Sequence, residues 1–228
     1  MDIHLNYIEK GSGDVLILLH GNGESTGYFV HQIECFSKNH RVIAIDTRGH
    51  GKSPRGTAPF TIKQFAEDLH QFMEEQKIET ADILGFSDGA NIAMEFALKY
   101  PEYISRLILN AGNLTPDGVK RSVQIPIVIG YKIASAFADK IPDAKLNAEM
   151  LGLMVNEPNI TPDEISRITA KTLVIAGTND MIKDEHTRLI ASSIPNSKLV
   201  IIKGNHFIAN KRYNDFNREV ELFLQQSQ

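Results

Sequence analysis

The chain has 228 residues, of which 42% are hydrophobic and 23% charged, and its formal net charge is −4 at pH 7. This length suits one domain with a sizeable core, and the composition is ordinary for a globular protein. The acidic balance and the lack of a long basic run argue against a nucleic-acid partner. No apolar run approaches the roughly 20 residues that cross a bilayer, which argues against a membrane partner.

Strand-like and helix-like segments alternate along the chain. Residues 3–9 predict an edge strand, which the glycine-rich turn at 10–13 joins to the first buried strand. Thr61 and Gln64 form a capping-box pattern that opens a helix with one apolar face. Short, nearly continuous apolar runs predict the buried strands, in chain order, at 15–19, 41–45, 81–84, 107–109, 173–175 and 199–202. Further helices are expected around 28–38, directly after Ser87, at 184–193 and at about 208–225.

This alternation indicates the architecture of the domain. Apolar strands separated by amphipathic helices are typical of a parallel sheet that is covered on both faces. The tight turn that follows the first strand predicts one antiparallel strand at an edge of that sheet.

One long segment interrupts the alternation. Between the strand that ends near Asn110 and the strand that begins at Thr172 lie about sixty residues, far more than the usual connection of about 2–6. Helical patterns occur in it at 123–138, 145–155 and 161–168. It follows a strand whose end should lie beside Ser87, so we expect a lid over a ligand site. The alternative is a helical bundle that only buries surface.

Residues 85–89 read Gly-Phe-Ser-Asp-Gly and lie between a strand-like and a helix-like run. A serine at so abrupt a strand-to-helix turn is strained, and its hydroxyl is presented at the head of the helix. The flanking glycines suit a turn in which any side chain would collide with the neighbouring strand or helix. Taken alone, Ser87 could simply cap the helix. Its context favours a nucleophile that attacks esters or amides.

Two further side chains are predicted to activate Ser87. His206 follows the last strand, and Asp180 follows the penultimate one, so both belong to the edge of the sheet that carries Ser87. A serine hydroxyl needs a base within hydrogen-bond reach, and a third group must hold that base. We predict that His206 is the base and that Asp180 fixes its tautomer. As an alternative, Asp180 caps the next helix.

Two backbone N–H groups are predicted to stabilise the oxyanion of the tetrahedral intermediate. One belongs to Asp88, at the start of the helix after Ser87, where the helix dipole also favours negative charge. The other belongs to Asn22, in the glycine-rich turn after the first buried strand. His20, in the same turn, is expected to organise this loop by hydrogen bonding.

Other polar residues have structural interpretations. The turn at 46–53 lacks the spacing of a phosphate loop, so Asp46 and Arg48 are expected to brace neighbouring loops. The eight histidines are scattered and form no metal-ligand pair, so no metal and no other cofactor is expected. The single cysteine, Cys35, suits a reducing compartment, and the first residues lack the pattern of a signal peptide. The expected location is cytoplasmic.

The motifs, in this order, closely resemble those of the α/β-hydrolase superfamily in its small single-domain form. The resemblance covers residues 1–113 and 172–228, and it implies that these form the hydrolase core. Residues 114–171 correspond to the variable helical cap. It implies an α/β fold with a mostly parallel eight-stranded sheet flanked by helices, and a triad of Ser87, Asp180 and His206. It rests on His20-Gly21, the turn at 46–53, residues 85–89, Asp180 and His206.

The resemblance also narrows the chemistry. Superfamily members with an aspartate nucleophile are dehalogenases and epoxide hydrolases, and Ser87 argues against both. The prediction is a serine hydrolase that cleaves carboxylic esters of small, fairly apolar substrates through an acyl-enzyme. The substrate would contact Phe86, Met150 and Met154, and a small-molecule ester is the only partner expected. Two alternatives stay open: another serine-triad reaction, such as carbon–carbon bond hydrolysis or perhydrolysis, and a ligand-binding member of the fold without turnover.

Overall fold

Seven strands form one sheet in the computed structural model, which describes residues 2–225. Six of them are parallel to one another, and β1 at one edge is antiparallel to β3. The order across the sheet is β1-β3-β2-β4-β5-β6-β7. The strands are Tyr7–Lys10 (β1), Val15–Leu19 (β2), Arg41–Ile45 (β3), Ala81–Phe86 (β4), Ile104–Asn110 (β5), Lys171–Asn179 (β6) and Ser197–Asn205 (β7).

The α/β-hydrolase architecture expected from the sequence is confirmed, but the expected number of eight strands is wrong. β1 and its connection to β2 occupy residues 7–14, and the described segment before them, residues 2–6, forms no strand. The remaining segment is held by loop contacts: the backbone N–H of Asn6 donates to Ser53 Oγ, and its side chain donates to Asp46. The predicted antiparallel edge strand is present, but it pairs with β3 and not with β2.

Helices cover both faces of the sheet. The helix bounds are Val30–Phe36 (α1), Ile62–Glu75 (α2), Asp88–Lys99 (α3), Arg121–Phe137 (α4), Pro142–Asn156 (α5), Pro162–Ile165 (α6), Asp184–Ser193 (α7), Ile208–Lys211 (α8) and Tyr213–Leu224 (α9). The side chains of α1, α8 and α9 pack into one apolar cluster, and those of α2, α3 and α7 pack into another. Alternate residues of β2 point to the two clusters: Leu16 and Leu18 to the first, Ile17 and Leu19 to the second.

The insertion predicted between β5 and β6 contains α4, α5 and α6, and we call the part formed by α4 and α5 the cap. The chain leaves and re-enters the core at one point, where the N–H of Ile160 donates to the carbonyl of Leu114 at 2.9 Å. Helix α4 packs against α5 and has no buried residue. Helix α4 is therefore a thin outer layer, whereas α5 reaches the core through Leu153, which belongs to the apolar cluster of α2, α3 and α7.

Polar contacts fasten α5 to the core. The Arg55 guanidinium donates to both carboxylate oxygens of Glu149, at 2.8 and 2.7 Å. At the end of α5, a Glu157 carboxylate oxygen accepts from the N–H of Ile62, the first residue of α2, at 2.7 Å. These contacts tie α5 to the loop after β3 and to the start of α2.

Among the described residues, no helix combines the length and the apolar character that crossing a membrane requires.

Candidate active site

The backbone at Ser87 is strained in the way the motif predicts. Its φ is +54° and its ψ is −120°, a region that non-glycine residues avoid and that costs roughly 1–3 kcal/mol. Hydrogen bonds hold the turn: the Ser87 N–H donates to the Asn110 carbonyl at 2.8 Å, and the Ser87 carbonyl accepts from the N–H of Ala90 at 2.9 Å. The hydroxyl lies at the head of the twelve-residue helix α3 and is half-buried.

Two glycines make this turn possible by close approach. A Cβ at Gly89 would overlap the carbonyl oxygen of Leu19 in β2, and a Cβ at Gly85 would overlap the carbonyl of Gly89. Both clashes involve backbone atoms, which cannot swing aside. The G-x-S-x-G spacing is therefore a packing requirement of β4, α3 and β2.

The structure brings together the three side chains predicted to act on substrate. His206 Nε2 lies 3.1 Å from Ser87 Oγ, and His206 Nδ1 lies 2.6 Å from Asp180 Oδ1. Asp180 and His206 are each only 4% exposed, so water competes little for these hydrogen bonds. A buried carboxylate, an imidazole and a hydroxyl thus form one continuous hydrogen-bonded chain.

The sheet explains why residues so distant in sequence meet. Ser87, Asp180 and His206 are each the first residue after a strand, namely β4, β6 and β7. These strands are parallel, so their carboxyl ends share one edge. The strand order reverses between β3, β2 and β4, and ligands of such sheets bind at this reversal. The turn after β2 consequently lies beside Ser87.

Asp180 is held as a carboxylate. Burial alone would raise its pKa, but hydrogen bonds from His206 and from the N–H groups of Ile182 and Gly177 outweigh burial and hold the pKa below its ordinary value. The charged form is thus maintained at neutral pH. A carboxylate in this position accepts the Nδ1–H of His206 and leaves Nε2 free to take a proton.

The two N–H groups predicted to bind an oxyanion lie near Ser87 and are uncommitted. Among the described residues, neither the Asn22 N–H nor the Asp88 N–H donates a hydrogen bond. The turn that carries Asn22 comes close to the serine, since a Cβ on Gly21 would lie 3.0 Å from the Ser87 Cβ. Asp88 is the first residue of α3, where N–H groups lack intrahelical partners.

The Asp88 side chain also has a role that the sequence analysis does not anticipate. Its carboxylate accepts hydrogen bonds from the side-chain amides of Asn22 at 3.0 Å and Asn91 at 3.2 Å. Burial raises the pKa of Asp88, and these two amides oppose that effect. Asn22 Nδ2 also donates to the carbonyl of Met150 in α5 at 2.8 Å. Asn22 therefore joins the nucleophile turn to the cap.

The predicted structural role of His20 is confirmed, and its tautomer follows from its partners. Its Nε2 accepts from the N–H of Thr47 at 3.0 Å, so its Nδ1 carries the proton and donates to the carbonyl of Gly21 at 2.7 Å. Burial lowers the pKa of His20 to about 4. A neutral imidazole thus ties the turn after β2 to the turn after β3.

The bracing role predicted for Asp46 and Arg48 is also confirmed. Asp46 accepts from the backbone N–H groups of Thr26 at 2.6 Å and Lys52 at 2.9 Å. The fully buried Arg48 guanidinium donates twice to Asp68 in α2, at 2.7 Å for each bond. These ion pairs and hydrogen bonds hold the turn after β3 against its neighbours.

The residues predicted to contact substrate occupy two different environments. Phe86 is 1% exposed and lies in the core beneath the site, with its ring centroid 4.9 Å from that of His206. Met150 and Met154 are half-buried on α5, in the cap. Phe86 thus packs directly against the imidazole, whereas the two methionines belong to the layer above.

Two contacts near the site have no clear signal in the sequence. Tyr28 stacks on Phe86 with centroids 4.3 Å apart, and its buried hydroxyl has no hydrogen-bond partner. Lys120, just before α4, donates through Nζ to the backbone carbonyl of Asp180 at 2.5 Å. Both residues join segments that are far apart in sequence, which is why periodicity and motif spacing do not reveal them.

The family model described as the alpha/beta hydrolase fold matches residues 14–132, which is just over half of the chain. The matched segment contains β2, β3, β4 and β5, the turn with Ser87 and the start of the cap.

Comparisons with individual proteins point the same way. The chain is 33% identical over 108 residues to the uncharacterized protein Rv2715 of Mycobacterium tuberculosis, a match that covers 47% of this chain and 32% of that protein. It is 24% identical to 3-oxoadipate enol-lactonase 2 of Acinetobacter baylyi over 98% of this chain and 94% of the relative. The crystal structure of the enol-lactonase from Burkholderia xenovorans LB400 superposes with a TM-score of 0.83, at 22% identity, covering 98% and 97% of the two chains.

The chain spans between about a third and a half of the length of the first curated relatives it matches, 32% for Rv2715 and 45% for another.

Proposed function

Because the chain belongs to the α/β-hydrolase fold family, we propose that it is a serine hydrolase that cleaves carboxylic esters through a Ser87–His206–Asp180 triad. The observation that carries this proposal is the continuous hydrogen-bonded chain from Asp180 through His206 to Ser87, with distances of 2.6 and 3.1 Å. The separations match those needed for a base to receive the proton of a hydroxyl. The strained backbone at Ser87 supports the same role.

The first half of the reaction forms an acyl-enzyme. Ser87 Oγ attacks the ester carbonyl carbon while its proton passes to His206 Nε2. The C–O bond to the alcohol then breaks, and His206 returns the proton to the departing alkoxide oxygen. Asp180 stays ionised throughout and stabilises the imidazolium. In the second half, His206 takes a proton from water, the resulting hydroxide attacks the acyl group, and Ser87 leaves with the proton.

The negative oxygen of each tetrahedral intermediate needs hydrogen-bond donors already in place. The backbone N–H groups of Asn22 and Asp88 are the proposed donors, and loss of one such donor typically costs about 10²–10³ in rate. Their uncommitted state supports this role, since neither must break a protein hydrogen bond to receive the oxyanion. The positive end of the dipole of α3 favours the same charge.

The ester class rests on three supports. A serine nucleophile with a histidine base performs acyl transfer, and esters are its most reactive common substrates. The relative matched over nearly its full length is named as an enol-lactonase, and a lactone is a cyclic ester. Apolar Met150 and Met154 in the cap suit small, fairly apolar acyl or alcohol groups. Phe86 supports the site from below by packing against His206.

The test uses a short p-nitrophenyl ester and a fluorophosphonate label. In the Ser87→Ala variant we expect turnover to fall by about 10⁶, with a melting temperature nearly that of the parent. The parent should be labelled by the fluorophosphonate at residue 87, because that reagent captures an activated serine.

The matched control is Ser12→Ala, at an exposed serine in the turn between β1 and β2. It should keep full turnover and full labelling. Turnover that survives in Ser87→Ala, or a parent protein that takes up no label and cleaves no ester from a panel of chain lengths, rejects the proposal.

A further inference from the structure

The outer face of the cap carries a row of bare apolar side chains. Ile125, Ile129, Ile133 and Phe137 follow one another at intervals of four along α4, and Ile141 continues the row past its end. Their exposed fractions are 57, 54, 58, 48 and 48% respectively. Residues four apart share one side of a helix, so these side chains form a continuous strip. We call these five residues the outer stripe.

The outer stripe is unusual for this molecule. Eleven large apolar side chains are exposed among the described residues, and five of them are in the stripe. The other six are the adjacent pair Tyr7 and Ile8 in β1, Val30 in α1, Leu189 in α7, and Tyr213 and Leu222 nine residues apart in α9. Scattered exposed apolar residues need no explanation, whereas a contiguous exposed patch marks a surface that another apolar surface covers.

The charges around the stripe identify the kind of surface. Helix α4 contains Arg121 and Lys132, both exposed, and no carboxylate. Lys140 follows the helix beside Asp139, so these two offset each other. The chain as a whole carries a net charge of −4, so α4 is a locally positive region on an acidic protein. A cationic apolar helix face is complementary to a surface that is both apolar and negatively charged.

Although no membrane partner is expected from the sequence, we propose that the outer stripe docks the protein on an anionic lipid surface, with α4 lying in the plane of the interface. In such helices the apolar side chains enter the boundary between headgroups and acyl chains, while lysine and arginine remain at the level of the headgroups. Anionic lipids add an attraction for each nearby cation, which weakens as salt is raised.

A second copy of the chain fits this face less well. A helix of 17 residues is about 25 Å long and about 10 Å wide, a footprint of roughly 250 Å², whereas stable dimers bury about 800 Å² per partner. Two copies would also bring four cations together, Arg121 and Lys132 from each α4, with no carboxylate in either helix to pair with them. Area and charge therefore both favour lipid.

The proposal is tested by co-sedimentation of the full chain with lipid vesicles. One set contains phosphatidylcholine alone and the other contains phosphatidylcholine with phosphatidylglycerol. We expect the protein to sediment with the anionic vesicles, and the bound fraction to fall as salt is raised. In the double variant Ile129→Ser, Ile133→Ser the partition coefficient should fall at least about tenfold. Lys132→Glu should weaken binding to the anionic vesicles.

The matched control is the double variant Val30→Ser, Leu222→Ser. It removes two side chains of similar exposure, 52% and 48%, from α1 and α9, away from the cap, and should bind like the parent. The variants of the stripe and of the control pair replace exposed residues, and melting temperatures verify that each is folded. Ser87→Ala should also bind like the parent, which separates this proposal from the proposed catalytic function.

Three outcomes would overturn lipid docking. The first is the absence of sedimentation with either vesicle set. The second is an equal loss of binding in the control double variant. The third is a parent protein that does not bind vesicles but forms a concentration-dependent dimer in sedimentation velocity. If the Ile129→Ser, Ile133→Ser variant also fails to bind vesicles and no longer dimerises, the stripe is assigned to a second copy of the chain.

Discussion

The edge of the sheet at the carboxyl ends of its strands, which we call the rim, and the cap are held in place by different kinds of contact. At the rim, His20, Asp46, Asp180 and His206 are buried, and each makes at least two hydrogen bonds, of which at least one joins a segment distant in sequence. In the cap, α4 has no buried residue, and a few polar contacts with the core position α5.

This difference separates two tasks. The rim is held by many hydrogen bonds, so the reacting groups keep one geometry regardless of which substrate is present. The cap is held by fewer contacts, so it tolerates changes in sequence and position that alter which substrates reach Ser87. Variants at the rim should therefore change chemistry or folding, and variants in the cap should have small effects on both.

Among the variants that test this comparison, the largest effect is expected from Asp180→Asn. An amide in this position donates where the carboxylate accepted, so the imidazole of His206 is held in the wrong tautomer, and kcat should fall by about 10⁴. The control is Asp184→Asn, an exposed acid at the start of α7 that pairs only with Arg188. A loss in Asp180→Asn similar to that in Asp184→Asn would remove Asp180 from the mechanism.

Gly89→Ala should cause a large loss of stability. The new methyl group would overlap the carbonyl oxygen of Leu19, and the backbone must shift to accommodate it, at a cost of about 3 kcal/mol in the free energy of unfolding. Denaturant unfolding measures this cost. Gly27→Ala is the matched control, because its Cβ would meet only Ser25 Oγ at an ordinary 3.5 Å. Equal stability of the two variants would contradict the packing argument.

His20→Gln should change how stability depends on pH. Burial lowers the pKa of His20 from 6.5 to about 4, so as the pH falls through this range the unfolded chain binds a proton that the folded chain does not. Acid therefore destabilises the parent through His20, by up to about 3 kcal/mol at pH 4, and no such cost exists above pH 6.5.

The variant has no imidazole at this position, so its deficit in unfolding free energy relative to the parent should shrink as the pH falls from 6.5 to 4. Denaturant unfolding at a series of pH values measures this change. His4→Gln, at a histidine whose side chain is 93% exposed, should show a constant difference from the parent. A deficit of the His20 variant that stays constant with pH would contradict the burial argument.

The smallest effect is expected at the contact between Arg55 and Glu149. The pair is geometrically good but partly exposed, at 28 and 24%, so a double-mutant cycle with alanine should give a coupling of about 0.2–1 kcal/mol. The change in KM for the ester substrate should exceed the change in kcat, because the pair holds the cap and touches no reacting atom. A coupling of several kcal/mol would show that the cap is fixed as firmly as the rim.

The rim was predictable from the sequence because its signals are local. His20, Asp46, Ser87, Asp180 and His206 are each the first residue after a strand, so recognising an apolar run also locates the polar residue that follows it. The parallel arrangement of the strands then places these ends on one edge. The helical pattern at 161–168 is also local, and the structure has α6 at its start, where Thr161 and Glu164 form a complete capping box.

Other features depend on contacts between distant segments, which patterns do not record. The Gln64 backbone N–H donates to Thr61 Oγ1, but the Gln64 side chain bonds Asp68 and does not accept from the Thr61 N–H. The predicted capping box at α2 is therefore only half formed. The final helix divides at Arg212 into α8 and α9. The apolar residues of 123–138 suggest burial on any hydrophobicity scale, yet α4 exposes one row of them because only α5 lies beneath it.

The hydrogen bond between Leu114 and Ile160 has a consequence for how such a protein diversifies. Because this hydrogen bond holds residues 114 and 160 side by side, the segment between them forms one insertion whose two ends adjoin. A different insertion, longer or shorter, placed between residues 120 and 160 leaves the register of every strand unchanged. It also keeps Lys120 and its hydrogen bond to the Asp180 carbonyl, so substrate range is exchanged by recombination while the reactive centre is inherited intact.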